Sequence, residues 1–377
     1  MRWLVGALSA GLAVVAAALV APETANVDPR SVPTARLSVD ASAIRVEPVV
    51  PPNVYAATLG SRLSPSVADV PVRVYVPNSA ARTVTVIDPA TFQVVGVVRA
   101  GRVPHHVTPA WDLGRLYVNN TESDSLTVID PRTSAAVGAI PVVDPYNLYF
   151  TPDGTKAIVV AERYQRLDFY DPGSWALIKS VPVPWSGVDH GDFSADGRWF
   201  VASTEFSGQV VKVDTVSMEV AGNVAVGGLP VDVKVSPDGS VFFVANQGRH
   251  GVSVLGSQTL AEVAFLPTGL GAHGLSLSRD ATALYVSNRL AGTVSVVDVS
   301  TRTVRSTWAV GGSPDMMQVS ADGRQLWASN RFGGTVSVID TASGTLMASI
   351  PAGAGAHGLT LFPQPGRYSV GHNGVYR

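Results

Sequence analysis

Two adjacent positions that recur along the chain carry most of the side chains able to do chemistry. Five of the seven histidines stand at these positions, in a chain of which only 15% of residues are charged. Imidazole and carboxylate groups gathered in one place can bind a metal ion, bind a small anion or transfer protons. The first position holds His105, Tyr146, Asp189, Val231, His273, Asp315 and His357. The second position holds His106, Asn147, His190, Asp232, Gly274, Met316 and Gly358.

Four of these histidines form a hypothetical ligand set for a single transition metal. They are His106, His190, His273 and His357, with His105 as an alternative to His106. Neutral imidazole suits zinc, copper and iron(II). No short ligand spacing such as His-x-x-x-His accompanies them. The competing interpretation is that these side chains only satisfy backbone groups where several loops crowd together.

Acid–base chemistry is a further possibility at the same positions. Asp189, His190 and Asp232 suggest a proton-transferring or lactone-hydrolysing site, because a general base needs a partner that tunes its pKa. The chain contains no Gly-x-Ser-x-Gly turn, phosphate-binding loop or dinucleotide fingerprint. The sequence therefore leaves open whether the protein is an enzyme.

A regular repeat must position these residues. A strand that ends in an acidic turn, clearest in Gly292-Thr-Val-Ser-Val-Val-Asp298, recurs at intervals of 42, 41, 43, 42, 42 and 42 residues. Such a period indicates a repeat architecture. One period contains four short strands, A to D, and Asp-Gly pairs between A and B suit tight hairpins. The sequence predicts an all-β, seven-bladed β-propeller of four-stranded blades. The copies end at Asp88, Asp130, Asp171, Asp214, Gly256, Asp298 and Asp340.

The strand count also predicts how the ring closes. Strand A occurs seven times, and its last copy begins at Leu359, so it should join the first B, C and D strands in one blade. This pairing would tie the two ends of the propeller together and hide the sheet edges. Residues 368–370 resemble an eighth B strand, which would displace the first one or lie as a tail.

In such a propeller, the residues before strand A and the loops between B and C share one face around the central channel. These B–C loops add acidic and basic residues to the two recurring positions. We predict a polar funnel at this mouth of the channel, with a small anion as the favoured ligand. The contributing loop residues are Glu162, Arg163, Glu205, Arg289 and Arg331.

Several strands resemble a known repeat. Leu116-Tyr-Val-Asn-Asn, Val241-Phe-Phe-Val-Ala-Asn and Leu284-Tyr-Val-Ser-Asn are similar to the strand that names the YVTN repeat family, as are the flanking Ser-Pro-Asp-Gly and Thr-Val-Ser-Val-Ile-Asp elements. The resemblance covers residues 72–377 and implies the propeller fold. It implies no single activity, because the family includes extracytoplasmic and surface proteins, with lactonase propellers and haem-d1 propellers as distant relatives.

The first part of the chain reads as an export signal. Arg2 precedes an apolar run from Leu4 to Val20, followed by small residues at which cleavage would remove roughly the first 21–25 residues. An uncleaved anchor is the alternative, and it would be the only contact with a membrane. We predict a signal peptide or anchor over 1–25, a proline-rich linker over 26–70 and the propeller over 71–377, located in the periplasm, at the cell surface or outside the cell.

Composition narrows the function classes further. The formal net charge is −2, so no basic surplus is available to bind nucleic acid. The absence of cysteine excludes disulfides, thiolate metal sites and cysteine nucleophiles. We expect an exported propeller that binds a small anionic ligand or an envelope protein at the funnel. The alternatives are a multi-histidine metal enzyme or a lactone hydrolase at the same face, and a structural envelope protein.

Overall fold

The computed structural model describes residues 53–377. The predicted signal peptide and residues 26–52 of the predicted linker lie outside this range, so both stay predictions. Within the described range, no helix has the length and apolar character needed to cross a membrane. The helices described are short 3₁₀ turns at Ala56–Thr58, Pro65–Val67, Thr121–Ser123, Glu162–Tyr164 and Glu205–Ser207.

Seven antiparallel sheets of four strands confirm the predicted propeller. Blade 1 contains β28 (Thr360–Phe362), β1 (Arg73–Asn78), β2 (Thr83–Asp88) and β3 (Gln93–Arg99). Blades 2 to 4 contain β4 (Pro104–Pro109), β5 (Leu116–Asn120), β6 (Ser125–Asp130), β7 (Ala135–Pro141), β8 (Asn147–Phe150), β9 (Ala157–Ala161), β10 (Arg166–Tyr170), β11 (Leu177–Pro182), β12 (Val188–Phe193), β13 (Trp199–Thr204), β14 (Gln209–Asp214) and β15 (Glu219–Ala225). Blades 5 to 7 contain β16 (Pro230–Val235), β17 (Val241–Asn246), β18 (Gly251–Gly256), β19 (Glu262–Pro267), β20 (Ala272–Leu277), β21 (Ala283–Asn288), β22 (Thr293–Asp298), β23 (Thr303–Ala309), β24 (Pro314–Val319), β25 (Gln325–Asn330), β26 (Thr335–Asp340) and β27 (Leu346–Pro351).

Burial along a blade explains its strand sequences. The B strand β21 is buried at all six positions, because both faces of the sheet pack against neighbouring blades. It is accordingly apolar through Ala283-Leu-Tyr-Val instead of alternating. The outermost strand β23 is exposed at nearly every position and carries threonine, arginine and serine. The core therefore lies between blades and near the axis.

The ring closes as the strand count predicts. β28 pairs antiparallel with β1, with Leu361 opposite Val74, so the last A strand becomes the inner strand of blade 1. Leu361 and Val74 are both fully buried in the same core cluster. Closure leaves blade 1 with the same four strands as the other six blades.

A repeated side-chain contact fixes the turn between strands B and C. Asn288, the last residue of β21, donates from Nδ2 to Thr293 and Ser295 in β22, both at 3.0 Å. The equivalent Asn78, Asn120 and Asn330 donate at 2.9 Å to a threonine or serine at the matching position. These asparagines therefore have a structural role, and they hold in place the residue that follows them on the funnel face.

Residues 368–377 enter the channel as a short hairpin, here called the channel hairpin. Val370 N donates to Val375 O at 2.8 Å, and Arg377 N donates to Tyr368 O at 3.1 Å. The hairpin contacts the innermost strand of blade 3, where Gly371 forms an antiparallel β-bridge with Tyr149. The apparent eighth B strand at 368–370 is thus one arm of this hairpin, which contacts β8 through an isolated bridge and adds no fifth strand to a blade.

Residues 53–70, which the sequence assigns to the linker, pack against the propeller. Tyr55 is 6% exposed, and its hydroxyl donates to Val235 O at 3.0 Å. Val67 and Val70 are buried in a core cluster with β1 and β2 side chains. These few isolated apolar residues have no periodicity, which is why the sequence indicated a loose tether here.

Candidate metal centre

A bulge at the start of strand A brings both recurring positions to the channel. The register of β4 against β5 shifts between Pro104 and Val107, so His105 and His106 together oppose one partner residue. A bulge interrupts the strict alternation of side chains. As a result, the His105 ring lies 5.0 Å from His357 and the His106 ring lies 4.9 Å from the same residue, centroid to centroid. Equivalent shifts occur in β12, β16, β20 and β24.

Three buried histidines converge at the floor of the funnel. One ring nitrogen from each of His106, His190 and His372 lies within 4.8 Å of the other two. The closest pair is His106 Nε2 and His190 Nε2, at 3.3 Å. His106 and His190 are fully buried, and His372 is 3% exposed. The group combines two blades with the tip of the channel hairpin.

Oxygen atoms face the outer nitrogens of the closest pair. His106 Nδ1 lies 2.8 Å from Asn373 Oδ1, and His190 Nδ1 lies 3.0 Å from Asp189 Oδ1, the latter at an angle too bent for a good hydrogen bond. At His106 the oxygen acceptor favours the tautomer with the proton at Nδ1 and the lone pair at Nε2. His190 Nε2 faces that lone pair at 3.3 Å, a distance that suits a shared proton or a shared cation.

The channel hairpin holds His372 in position. Its ring stacks on Tyr149 with centroids 5.9 Å apart, and its Nδ1 lies 2.8 Å from Asn147 Nδ2. His372 Nε2 lies 3.7 Å from Asp232 Oδ1 and 3.3 Å from Asn373 Nδ2. His372 stands outside the 42-residue repeat, so the predicted metal set did not include it.

The other two predicted metal ligands belong to a neighbouring ion-pair cluster. His357 Nε2 lies 3.2 Å from Asp315 Oδ2, and its Nδ1 lies 3.0 Å from the carbonyl oxygen of His105. His273 Nδ1 lies 3.5 Å from Asp315 Oδ1, and Arg289 contacts both His273 and Asp315. The predicted set is therefore split, with His106 and His190 in the three-histidine group and His273 and His357 around Asp315.

Burial keeps most of these imidazoles neutral. Burial is the main cause that lowers the pKa of His106, His273, His357 and His372 well below its usual value. Burial also lowers the pKa of His105, to about 3. His190 differs, because the negative charges of Asp189, Asp232 and Asp315 outweigh its burial and raise its pKa. Neutral imidazole is the form that binds metal.

The funnel rim is divided into an acidic and a basic half. The residue after strand B is glutamate in blades 3 and 4 (Glu162, Glu205) and arginine in blades 6 and 7 (Arg289, Arg331). Arg289 is not free at the rim, since its side chain is 10% exposed and pairs with Asp315. Arg163 pairs with Asp144 at 2.6 Å. Arg331 makes no hydrogen bond or ion pair among residues 53–377.

Glutamine substitutions at the two rim glutamates should change the pH dependence of stability. Burial, reinforced by the charge of Asp189, raises the pKa of both Glu162 and Glu205 from 4.5 to about 7. The native state therefore favours the protonated acids, and this stabilisation is lost as pH rises from 4.5 through 7.

We expect Glu162→Gln to raise the free energy of unfolding by about 1–2 kcal/mol at pH 8, after allowance for solvent screening, and to change it little at pH 4.5. Urea unfolding in the presence of a chelator measures this. Glu122→Gln, on the exposed loop of blade 2, is the control. An equal effect of Glu162→Gln at both pH values would contradict the prediction.

The fold and this site define a seven-bladed propeller whose channel contains a buried histidine cluster. A family model described as YNCE-like beta-propeller matches residues 30–365. The chain belongs to this family. No curated protein matches its sequence.

Solved structures share the architecture. Hydrazine synthase of Kuenenia stuttgartiensis is 24% identical with a TM-score of 0.63, over 71% of this chain and 92% of that chain. Dihydro-haem d1 dehydrogenase NirN, in complex with DHE, is 16% identical with a TM-score of 0.61, over 81% and 78%. A functionally unknown protein from Desulfotomaculum acetoxidans is 16% identical with a TM-score of 0.67, over 78% and 99%. At these identities the likeness establishes the fold alone.

Proposed function

We propose that this propeller is a metalloprotein that holds one transition-metal ion through His106, His190 and His372. The observation that carries the proposal is the 3.3 Å separation of His106 Nε2 and His190 Nε2. Two lone pairs at that distance repel each other unless a proton or a cation lies between them. Two nitrogens that share an ion at about 2.1 Å, at tetrahedral or right angles, stand about 3.0–3.4 Å apart.

The third ligand requires a small movement. Ligand atoms around one ion at about 2.1 Å lie within about 4.2 Å of each other. The three nitrogens lie within 4.8 Å of one another, so the third would move by up to about 0.6 Å to lie opposite another ligand, or by up to about 1.4–1.8 Å to reach the tetrahedral or right-angle spacing of about 3.0–3.4 Å. His372 must also present a lone pair at Nε2, so its Nδ1 would carry the proton, and the carboxamide of Asn147 would have to turn and give up the hydrogen bond that its Oδ1 accepts from Leu148 N at 2.9 Å.

The funnel suits an anionic ligand at the remaining coordination position. Three protein ligands leave at least one position of a zinc, copper or iron ion open. Arg331 offers a positive charge at the rim, and Glu162 and Glu205 offer acids with a pKa of about 7. At the rim, a small oxyanion or the acidic group of a protein partner would meet both a positive charge and groups that can transfer protons. We place this activity outside the cytoplasm, on the basis of the predicted export signal.

Metal analysis tests the proposal. Protein purified without chelator and incubated with zinc, copper or iron(II) should retain about one equivalent of one ion after desalting. His106→Gln and His190→Gln should retain less than about a tenth of an equivalent. His250→Gln is the matched control, because His250 stands outside the cluster and its ring makes one hydrogen bond, accepted from Gly271 N at 3.2 Å. Wild-type protein that retains none of the three ions would overturn the metal site and leave His106 and His190 as a proton-sharing pair.

A further inference from the structure

A cavity lies against the channel hairpin. Its volume is about 90 Å³, and it is bounded by β20 and β24, by the hairpin and by Tyr55 and Thr58 of the preceding segment. It has room for several waters or for one small oxyanion. Its lining includes two positively charged side chains, Lys234 and Arg279.

Lys234 is a buried cation without a direct partner. It is 6% exposed and makes no hydrogen bond or ion pair within 4.0 Å among residues 53–377. Asp232 lies on the same face of β16, yet its oxygens are engaged by the amides of Val233 at 2.9 Å and Leu275 at 2.8 Å. A buried charge is costly unless a counter-charge or hydrogen-bond acceptors compensate it.

Arg279 is a second cationic side chain in the same cavity, and it also has no anionic partner among the residues that the structure describes. Its guanidinium donates to neutral acceptors only, namely Gln364 Oε1 at 2.6 Å and the carbonyl oxygens of Ser320 at 3.0 Å, Val319 at 3.2 Å and Thr58 at 3.4 Å. Its Nε is buried without a hydrogen-bond partner. Burial lowers the pKa of Arg279 to about 10, an effect that Tyr376 and Asp322 only partly offset. Two cations thus line one cavity, and neither has a carboxylate within ion-pair distance in the described part of the chain.

We infer that this cavity is a binding site for a small oxyanion, a carboxylate or phosphate group, held by Lys234 and Arg279. The site adjoins the metal centre, because His372 and Asn373 also line its wall, but neither Lys234 nor Arg279 belongs to the metal-ligand set. A bound oxyanion would compensate both cations and would contact neutral donors of the wall, such as the hydroxyl of Ser276. Solvent alone would fill the space, but within the described structure it would leave Arg279 with neutral acceptors only and Lys234 with no anionic partner nearer than Asp232, whose oxygens are already engaged.

Calorimetric titration with inorganic phosphate and with acetate tests the site. Wild-type protein should bind one equivalent of at least one of these anions. The anion that binds more tightly shows whether the site prefers a phosphate or a carboxylate group. Lys234→Met keeps the length of the side chain and removes the charge, and it should weaken binding at least about thirty-fold. Lys156→Met, at a surface turn, is the matched control and should bind as wild type does.

Thermal unfolding provides a second readout. Phosphate stabilises proteins in general, so the comparison is made against chloride at equal ionic strength in both variants. The excess stabilisation by the oxyanion should appear in wild type and vanish in Lys234→Met. If Lys234→Met does not fold, Arg279→Gln takes its place. No saturable binding of either anion to wild type, or equal binding to wild type and the variant, would overturn the inference.

Discussion

Replacement of Arg377 by methionine is expected to lower the free energy of unfolding by about 3–5 kcal/mol, because it leaves a buried carboxylate without its counter-charge. Arg377 Nη2 lies 2.6 Å from Asp192 Oδ1, and the two side chains are 5% and 1% exposed. The guanidinium also stacks over the ring of Tyr55, 4.5 Å from its centroid. This pair fastens the channel hairpin to blade 4 and to the segment before the propeller.

A double variant separates the ion pair from simple loss of packing. Asp192→Asn combined with Arg377→Met removes both charges, so it should recover part of the stability lost in Arg377→Met, although the asparagine oxygen can replace only one of the two acceptors used by the amides of Phe193 and Val235. Each variant is unfolded in urea and followed by tryptophan fluorescence. Arg367→Met is the control, because Arg367 forms no ion pair in the described range. A loss below about 1 kcal/mol for Arg377→Met would contradict the prediction, since that is the size expected of an exposed pair.

The propeller itself was predictable from local patterns. Each period carries its own strand and turn information, such as the Asp-Gly hairpins and the Asn–Ser pairing of Asn288 with Ser295. Seven copies of nearly equal length are compatible with few architectures other than a propeller. Ring closure followed from the count alone, because a lone A strand after seven D strands pairs most readily with the unpaired first B strand.

The candidate site was predictable only in part, for two physical reasons. The bulge in strand A was not apparent in the sequence, and it is what allows His105 and His106 to face the channel together. His372 reaches His106 across 266 positions through a hairpin that belongs to no repeat. The only local indication of its turn was the pair Gly371 and Gly374, whose φ angles of 98° and 90° suit glycine.

The cavity beside Lys234 was likewise not predictable from the sequence. In sequence, Lys234 reads as one polar residue inside Val231-Asp-Val-Lys-Val235, where alternation predicts one polar face. Alternation does not reveal that this polar face borders a cavity. The cavity is formed in part by the channel hairpin and by Tyr55, which come from distant parts of the chain. The roles of residues whose contacts lie outside the repeat could therefore be assigned only from the structure.

Replacement of His372 by glutamine should have the largest effect on metal affinity of any change outside the blades. Loss of an outer-shell partner usually weakens metal binding about 10–100-fold, so Asn373→Ala, which removes the acceptor at His106 Nδ1, should fall in that range. His372→Gln removes a ligand and should exceed it. Competition with a chromogenic chelator gives both affinities, with His250→Gln as the control.

Metal binding and docking of the channel hairpin should also be coupled in both directions. An ion held partly by His372 stabilises the hairpin in the channel, so saturating metal should raise the melting temperature of wild type and leave His372→Gln nearly unchanged. Arg377→Met loosens the same hairpin and should therefore weaken metal binding, although Arg377 touches none of the three ligands. Wild-type affinity in His372→Gln would instead show that His106 and His190 hold the ion with another third ligand, and that the hairpin only fills the channel.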